Sequence, residues 1–128
     1  GDMSVSEVCS LPRGCHNAMP HGDGVLLNDT ASDVVRYVSR SGPSVAVSVP
    51  TFPEGELEYR GVDDSRIARQ GFGRGLCTIN DQLIAAGSSP STISIIDLHA
   101  GERVGAVNLT MDIRNAVHGL ECWPERWA

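Results

Sequence analysis

Arg74-Gly75-Leu76-Cys77-Thr78-Ile79-Asn80-Asp81-Gln82-Leu83-Ile84-Ala85-Ala86 repeats in outline a pattern met earlier as Arg13-Gly14-Cys15-His16-Asn17-Ala18-Met19, then Asp23-Gly24, then Val25-Leu26-Leu27-Asn28. Each copy opens on Arg-Gly, runs through a short strand-like stretch, turns on a polar pair and enters a second apolar run. Working outward, the first copy continues through residues 34–38, the Ser41-Gly42 turn and residues 45–49. The second continues through residues 93–98, the Ala100-Gly101 turn and residues 104–109. Val45, Val47 and Val49 alternate with Ser44, Ala46 and Ser48, and Ile93 and Ile95 alternate with Thr92 and Ser94. Period-two alternation with β-branched side chains is the mark of a half-buried strand. No window carries a sustained apolar stripe at helical spacing; the one helix candidate is short, at residues 63–69.

Two copies of four short strands with matched turns predict an all-β chain of blade-like units, at about 13–50 and 74–110. A third unit is expected to begin near Asn115, where Asn115-Ala116-Val117-His118-Gly119-Leu120 sets against the segment around His16, and to run to 128. Residues 50–73, rich in Pro, Gly and polar residues, read as a long connection with one hairpin arm at residues 57–59; connections of this length are often functional. The whole of 1–128 reads as one domain. The alternative is a self-contained β-sandwich.

The 128 residues carry a net charge of −6, and all ten basic residues are arginine. An acidic surface repels a phosphate backbone, so nucleic acid is not an expected partner. The apolar runs are too short to span a bilayer as helices, so no membrane partner is expected. Gly1 reads as the scar of a cleaved tag and no secretory leader is recognisable; a cytoplasmic location is the expectation, with secretion, its leader removed, as the alternative. Cys9, Cys15, Cys77 and Cys122 form no C-x-x-C pair. Cys77 and Cys122 read as buried free thiols in apolar strand-like runs, and a Cys9–Cys15 bridge belongs only to an exported protein. Asn28 and Asn108 each open an N-x-T sequon.

The phrases Gly73-Arg74-Gly75-Leu76 and His16-Asn17-Ala18-Met19, the latter followed by Gly22-Asp23-Gly24-Val25-Leu26-Leu27-Asn28-Asp29-Thr30, carry a resemblance. They resemble blades of bacterial propellers of the NHL, streptogramin-lyase-like and gluconolactonase-like superfamily. That resemblance implies a channel lined by the first strand of each blade, with acidic, Asn, His or Arg side chains and often a divalent metal ion. Two to three blades of four antiparallel strands leave open edges, which implies a ring completed by missing sequence or by a homo-oligomer.

Candidate site residues follow from recurrence between the units. His16 and His118 occupy comparable places and are either a metal pair or hydrogen-bonded structural histidines. Asn17, like Asn115, flanks a histidine and is placed to orient a ligand. Arg13, Arg74 and Arg114 recur near the unit starts; their planar forks suit carboxylate or phosphate, or ion pairs with Asp29, Asp97 or Asp112. The sequence contains no nucleophile elbow, P-loop or HExxH, so no catalytic residue is assigned. Two functions remain open: a binding module for a small molecule or protein ligand, and a metal-assisted lyase or lactonase.

Overall fold

The computed structural model describes residues 1–59 and 69–124. It is all-β, with eight strands: β1 (Cys15–His21), β2 (Gly24–Asp29), β3 (Val34–Val38), β4 (Val45–Ser48), β5 (Leu76–Thr78), β6 (Leu83–Ser88), β7 (Thr92–Asp97) and β8 (Glu102–Asn108). They form two antiparallel four-stranded sheets with the orders β1-β2-β3-β4 and β5-β6-β7-β8. Each is a meander in which sequence neighbours pair, because the turns that join the strands are too short for any other connection. All eight strands overlie strand-like runs expected in the two units. The helix candidate at 63–69 lies mostly outside the described residues.

Register decides which side chains meet. In the first sheet Leu26 sits opposite Tyr37, and Tyr37 opposite Val45; Asn28 sits opposite Val35, and Val35 opposite Val47. In the second, Ala86 opposes Ser94 and Ile84 opposes Ile96. These faces pack on each other, and Leu26, Val35 and Val47 share one buried cluster with Leu76, Ile84, Ala86, Ile96 and Leu98. Leu26 and Ile84 are fully enclosed, one from each sheet. Burying a side chain of that size is worth about 1.5–3 kcal/mol. A narrow cleft between the sheets is lined by Val35, Val49, Ala86, Ser88, Ser94 and Ile96. The hydroxyls of Ser88 and Ser94 are buried there without a hydrogen-bond partner.

The opposite faces differ. On the first sheet Asp29, 2% exposed, takes the guanidinium of Arg36 at 2.8 Å. Burial pushes the Asp29 carboxyl up, and the Arg36 bonds outweigh that and hold it below its ordinary range. On the second sheet every residue of β8 is exposed, Val107 among them, while Ile93 and Ile95 on the same face are half-buried. Val34, Val45, Val47, Ile93, Ile95 and Val107 are the apolar residues expected on faces between blades; of these Val47 is in the core and Val45 packs against it.

Among its described residues, the connection between the sheets holds a 3₁₀ turn at Glu54–Glu56. In place of a hairpin arm at residues 57–59, Glu58 makes an isolated parallel bridge to Asp112. At the far end Gly71 bridges Ser89. Residues 115–124, where a third unit is expected, contain no strand.

Candidate ligand site at the seam between the sheets

The site begins with an irregularity. The β1–β2 register shifts between His16 and Met19, and Asn17 takes a positive φ of 58°. Asparagine tolerates that left-handed conformation better than most residues. The bulge leaves the Asn17 side chain free to bond across the seam. Its Oδ1 accepts from the backbone N–H of Gly75 and from Nδ2 of Asn28, both at 3.2 Å. Asn28 Nδ2 also donates to the Gly75 carbonyl at 3.2 Å. Thr30 Oγ1 donates to the Gly73 carbonyl at 2.8 Å. Three polar side chains of the first sheet thus grip the backbone that leads into β5. Asn28 is wholly buried, so its sequon is closed to a glycan.

Two glycines make the close approach possible. A Cβ on Gly73 would lie 3.1 Å from Asn28 Oδ1. Gly75 has φ +73°, and a Cβ there would meet the Val117 carbonyl oxygen at 3.0 Å and the Gly119 nitrogen at 3.2 Å. Gly75 is therefore enclosed between the asparagines and the segment 117–119.

Phe72, between Gly71 and Gly73, is held at φ 36°. A bulky residue with positive φ is a strained outlier that persists only where surrounding contacts over-determine it, and such residues gather at functional sites. Its ring has the Arg74 guanidinium 4.7 Å from the centroid and the Arg69 guanidinium at 5.4 Å, with the His16 ring at 6.5 Å. The two arginines are not equivalent. Arg69 is spent on Asp33, at 2.7 and 2.9 Å, and on the Thr30 carbonyl at 2.7 Å. Arg74 has its Nε buried without a hydrogen-bond partner. His16 Nδ1 lies 2.9 Å from Thr30 Oγ1. Because the Thr30 proton is directed to Gly73, this contact places a ring proton on Nδ1.

The other recurrent residues lie elsewhere. Arg13 is exposed in the turn before β1. Arg114 grips Asp112 through both Nε and Nη2, at 2.8–3.2 Å, and stacks 3.3 Å from the Tyr59 ring centroid. That bond holds the Asp112 carboxyl below its ordinary range and raises the guanidinium. His118 is exposed on the segment that passes over Gly75, and Asn115 closes a turn on the Asp112 carbonyl at 3.0 Å. Among the described residues no three His, Cys, Asp or Glu side chains gather as a metal centre requires.

Recurrence between the units singles out His16, Asn17 and Arg74 and misses Phe72, Thr30 and Asn28. A large aromatic flanked by glycines in an otherwise polar connection was the available signal. Comparison with protein-family models, curated proteins and solved structures finds no match to this chain.

Proposed function

We propose that the two meanders are consecutive blades of a propeller-type binding module, and that the seam binds the carboxylate of a small-molecule or protein ligand. The observation that carries the reading is Arg74: a guanidinium stacked on Phe72, beside His16, with its Nε buried and unpartnered. A cation fixed on an aromatic face and short of one acceptor is suited to a planar anion. His16, whose Nδ1 is turned to Thr30, adds its Nε2 as a second point of recognition. The meander order, running from the gripped strands β1 and β5 to the outlying β4 and β8, supports the blade reading. In that arrangement the free face of the second sheet, with Ile93, Ile95 and Val107, takes the next blade from another copy of the chain.

Titration calorimetry with succinate and with a glutamate-rich peptide tests the site. Binding of either probe is expected to weaken at least tenfold in Arg74→Ala, to recover only in part in Arg74→Lys, and to be unchanged in Arg13→Ala. Unchanged binding in Arg74→Ala, or no binding of either probe, overturns the reading. Binding that requires a divalent ion together with His16 and His118 replaces it with the metal-assisted lyase or lactonase function.

A further inference from the structure

The segment 115–124 forms no strand, yet it is not detached. The Val117 N–H points to the Ser88 carbonyl at 3.4 Å. A Cβ built on Gly87 would lie 2.7 Å from Val117 Cβ, and Gly75 faces the backbone of 117–119. Farther along, Cys122 Sγ stands 3.7 Å from Cys77 Sγ. Cys77 opposes Ala85 across the β5–β6 ladder, and Ala85 opposes Ile95. The segment is therefore a strap laid over the β5–β6 half of the second sheet's outer face. Cys122 is exposed on the strap, whereas Cys77 is buried in the strand. Both were expected in apolar strand runs; only Cys77 is in one.

We propose that Cys77 and Cys122 form a reversible disulfide that fastens the strap to the sheet. The sulfurs need to close to about 2.05 Å, and the partner that moves is on irregular backbone, free of ladder hydrogen bonds. The oxidant is a low-molecular-weight disulfide. The exposed Cys122 thiolate attacks one of its sulfurs, forming a mixed disulfide and releasing one small thiolate. Cys77 then attacks Cys122 Sγ, the mixed bond breaks, and the second small thiol leaves. Two protein thiols are oxidised, one small disulfide is reduced to two thiols, and the two protein protons end on those thiols. The order of attack follows from access and acidity, because burial and the neighbouring Cys122 push the Cys77 thiol up to about 11.

The test uses the reduced full chain, incubated with oxidised glutathione, quenched with iodoacetamide and digested with trypsin. The expected product joins the peptide 75–103 to the peptide 115–126 and disappears with dithiothreitol. The folded, oxidised chain is expected to melt about 10 °C higher than the reduced one, since the bridge closes a long loop. Cys122→Ser, a change at an exposed position, keeps the fold by circular dichroism and abolishes both the linked peptide and the shift. Glutathione left on Cys122, a link from Cys122 to Cys9 or Cys15, or a 77–122 link found only after unfolding overturns the proposal.

Discussion

The two sheets share an order and a turn pattern, yet each ties its turns together from the opposite side. In the first, Asp23 of the β1–β2 turn reaches across to the β3–β4 turn. Its carboxylate accepts from the Tyr37 hydroxyl at 2.5 Å, from the Ser39 hydroxyl at 3.1 Å, from the Ser41 N–H at 3.1 Å and from the Ser41 hydroxyl. In the second, Asp97 starts the β7–β8 turn, accepts from the N–H groups of His99 and Ala100 at 2.9 Å, and takes Nε2 of Gln82 in the β5–β6 turn at 2.7 Å. One aspartate per sheet fastens the two turns at the same end, from different positions in the unit. The likeness of the two sheets is thus one of backbone and turn placement, and different side chains secure it in each. The seam site belongs to the unshared part, because only β1 carries the bulge at Asn17.

The largest effect expected is one that treats both sheets alike. Leu26→Ala and Ile84→Ala each open a void in the shared core and should each cost about 2–5 kcal/mol. Urea melts should show a single transition lowered by similar amounts. Loss confined to one sheet, seen as two transitions, would break the pairing of the sheets into one core.

Asn28→Ala comes next and should separate the copies. It removes the bonds to Gly75 and Asn17 and leaves the buried Gly75 carbonyl short of one donor, at an expected cost of about 1–3 kcal/mol. Gln82→Ala, which cuts the exposed tie in the second sheet, should change stability by less than about 0.5 kcal/mol. Equal effects would mean that the seam is no more demanding than a surface turn.

Acid titration sharpens the contrast between the turns. Hydrogen bonds from Ser41 and Tyr37 hold the Asp23 carboxyl well below its ordinary range, and those from Ala100 and then Gln82 hold Asp97 below it. Both carboxyls are depressed in the folded chain, so the stability they contribute is present above their unfolded pKa and is lost as the pH falls through the folded one. Melting temperature should drop from about pH 4 downward, less steeply in Asp23→Asn and, to a smaller degree, in Asp97→Asn. An unchanged acid limb in Asp23→Asn would show that the turn network does not hold in solution.

The smallest effect has the opposite sign. Ser94→Ala removes a buried hydroxyl that has no partner, and should leave stability unchanged or raise it by up to about 1 kcal/mol. A clear loss would reveal a bonded water in the cleft.

The strands and turns were legible because alternation at Val45–Ser48 and Thr92–Asp97 and the glycines at 24, 42 and 101 are local signals. The pairing of Arg114 with Asp112 was within reach as well, since the two are nearly adjacent. The seam was not legible. Asn28 and Gly75 are 47 positions apart, and nothing local in an N-D-T triplet says that its asparagine is buried against another strand's backbone. The strap was hidden for the same reason: residues 115–120 match the start of a unit in composition, but only tertiary contact at Gly75 and Gly87 shows them lying flat across a sheet.

The blade reading rests on the free face of the second sheet finding a neighbour, and native mass spectrometry of the full chain at micromolar concentration tests this most directly. The expected result is a discrete assembly of two or three copies of the 13.6 kDa chain. It should fall apart in Ile93→Glu or Ile95→Glu variants that stay folded. A single folded copy at every concentration, unaffected by those variants, would contradict it and leave a self-contained sandwich.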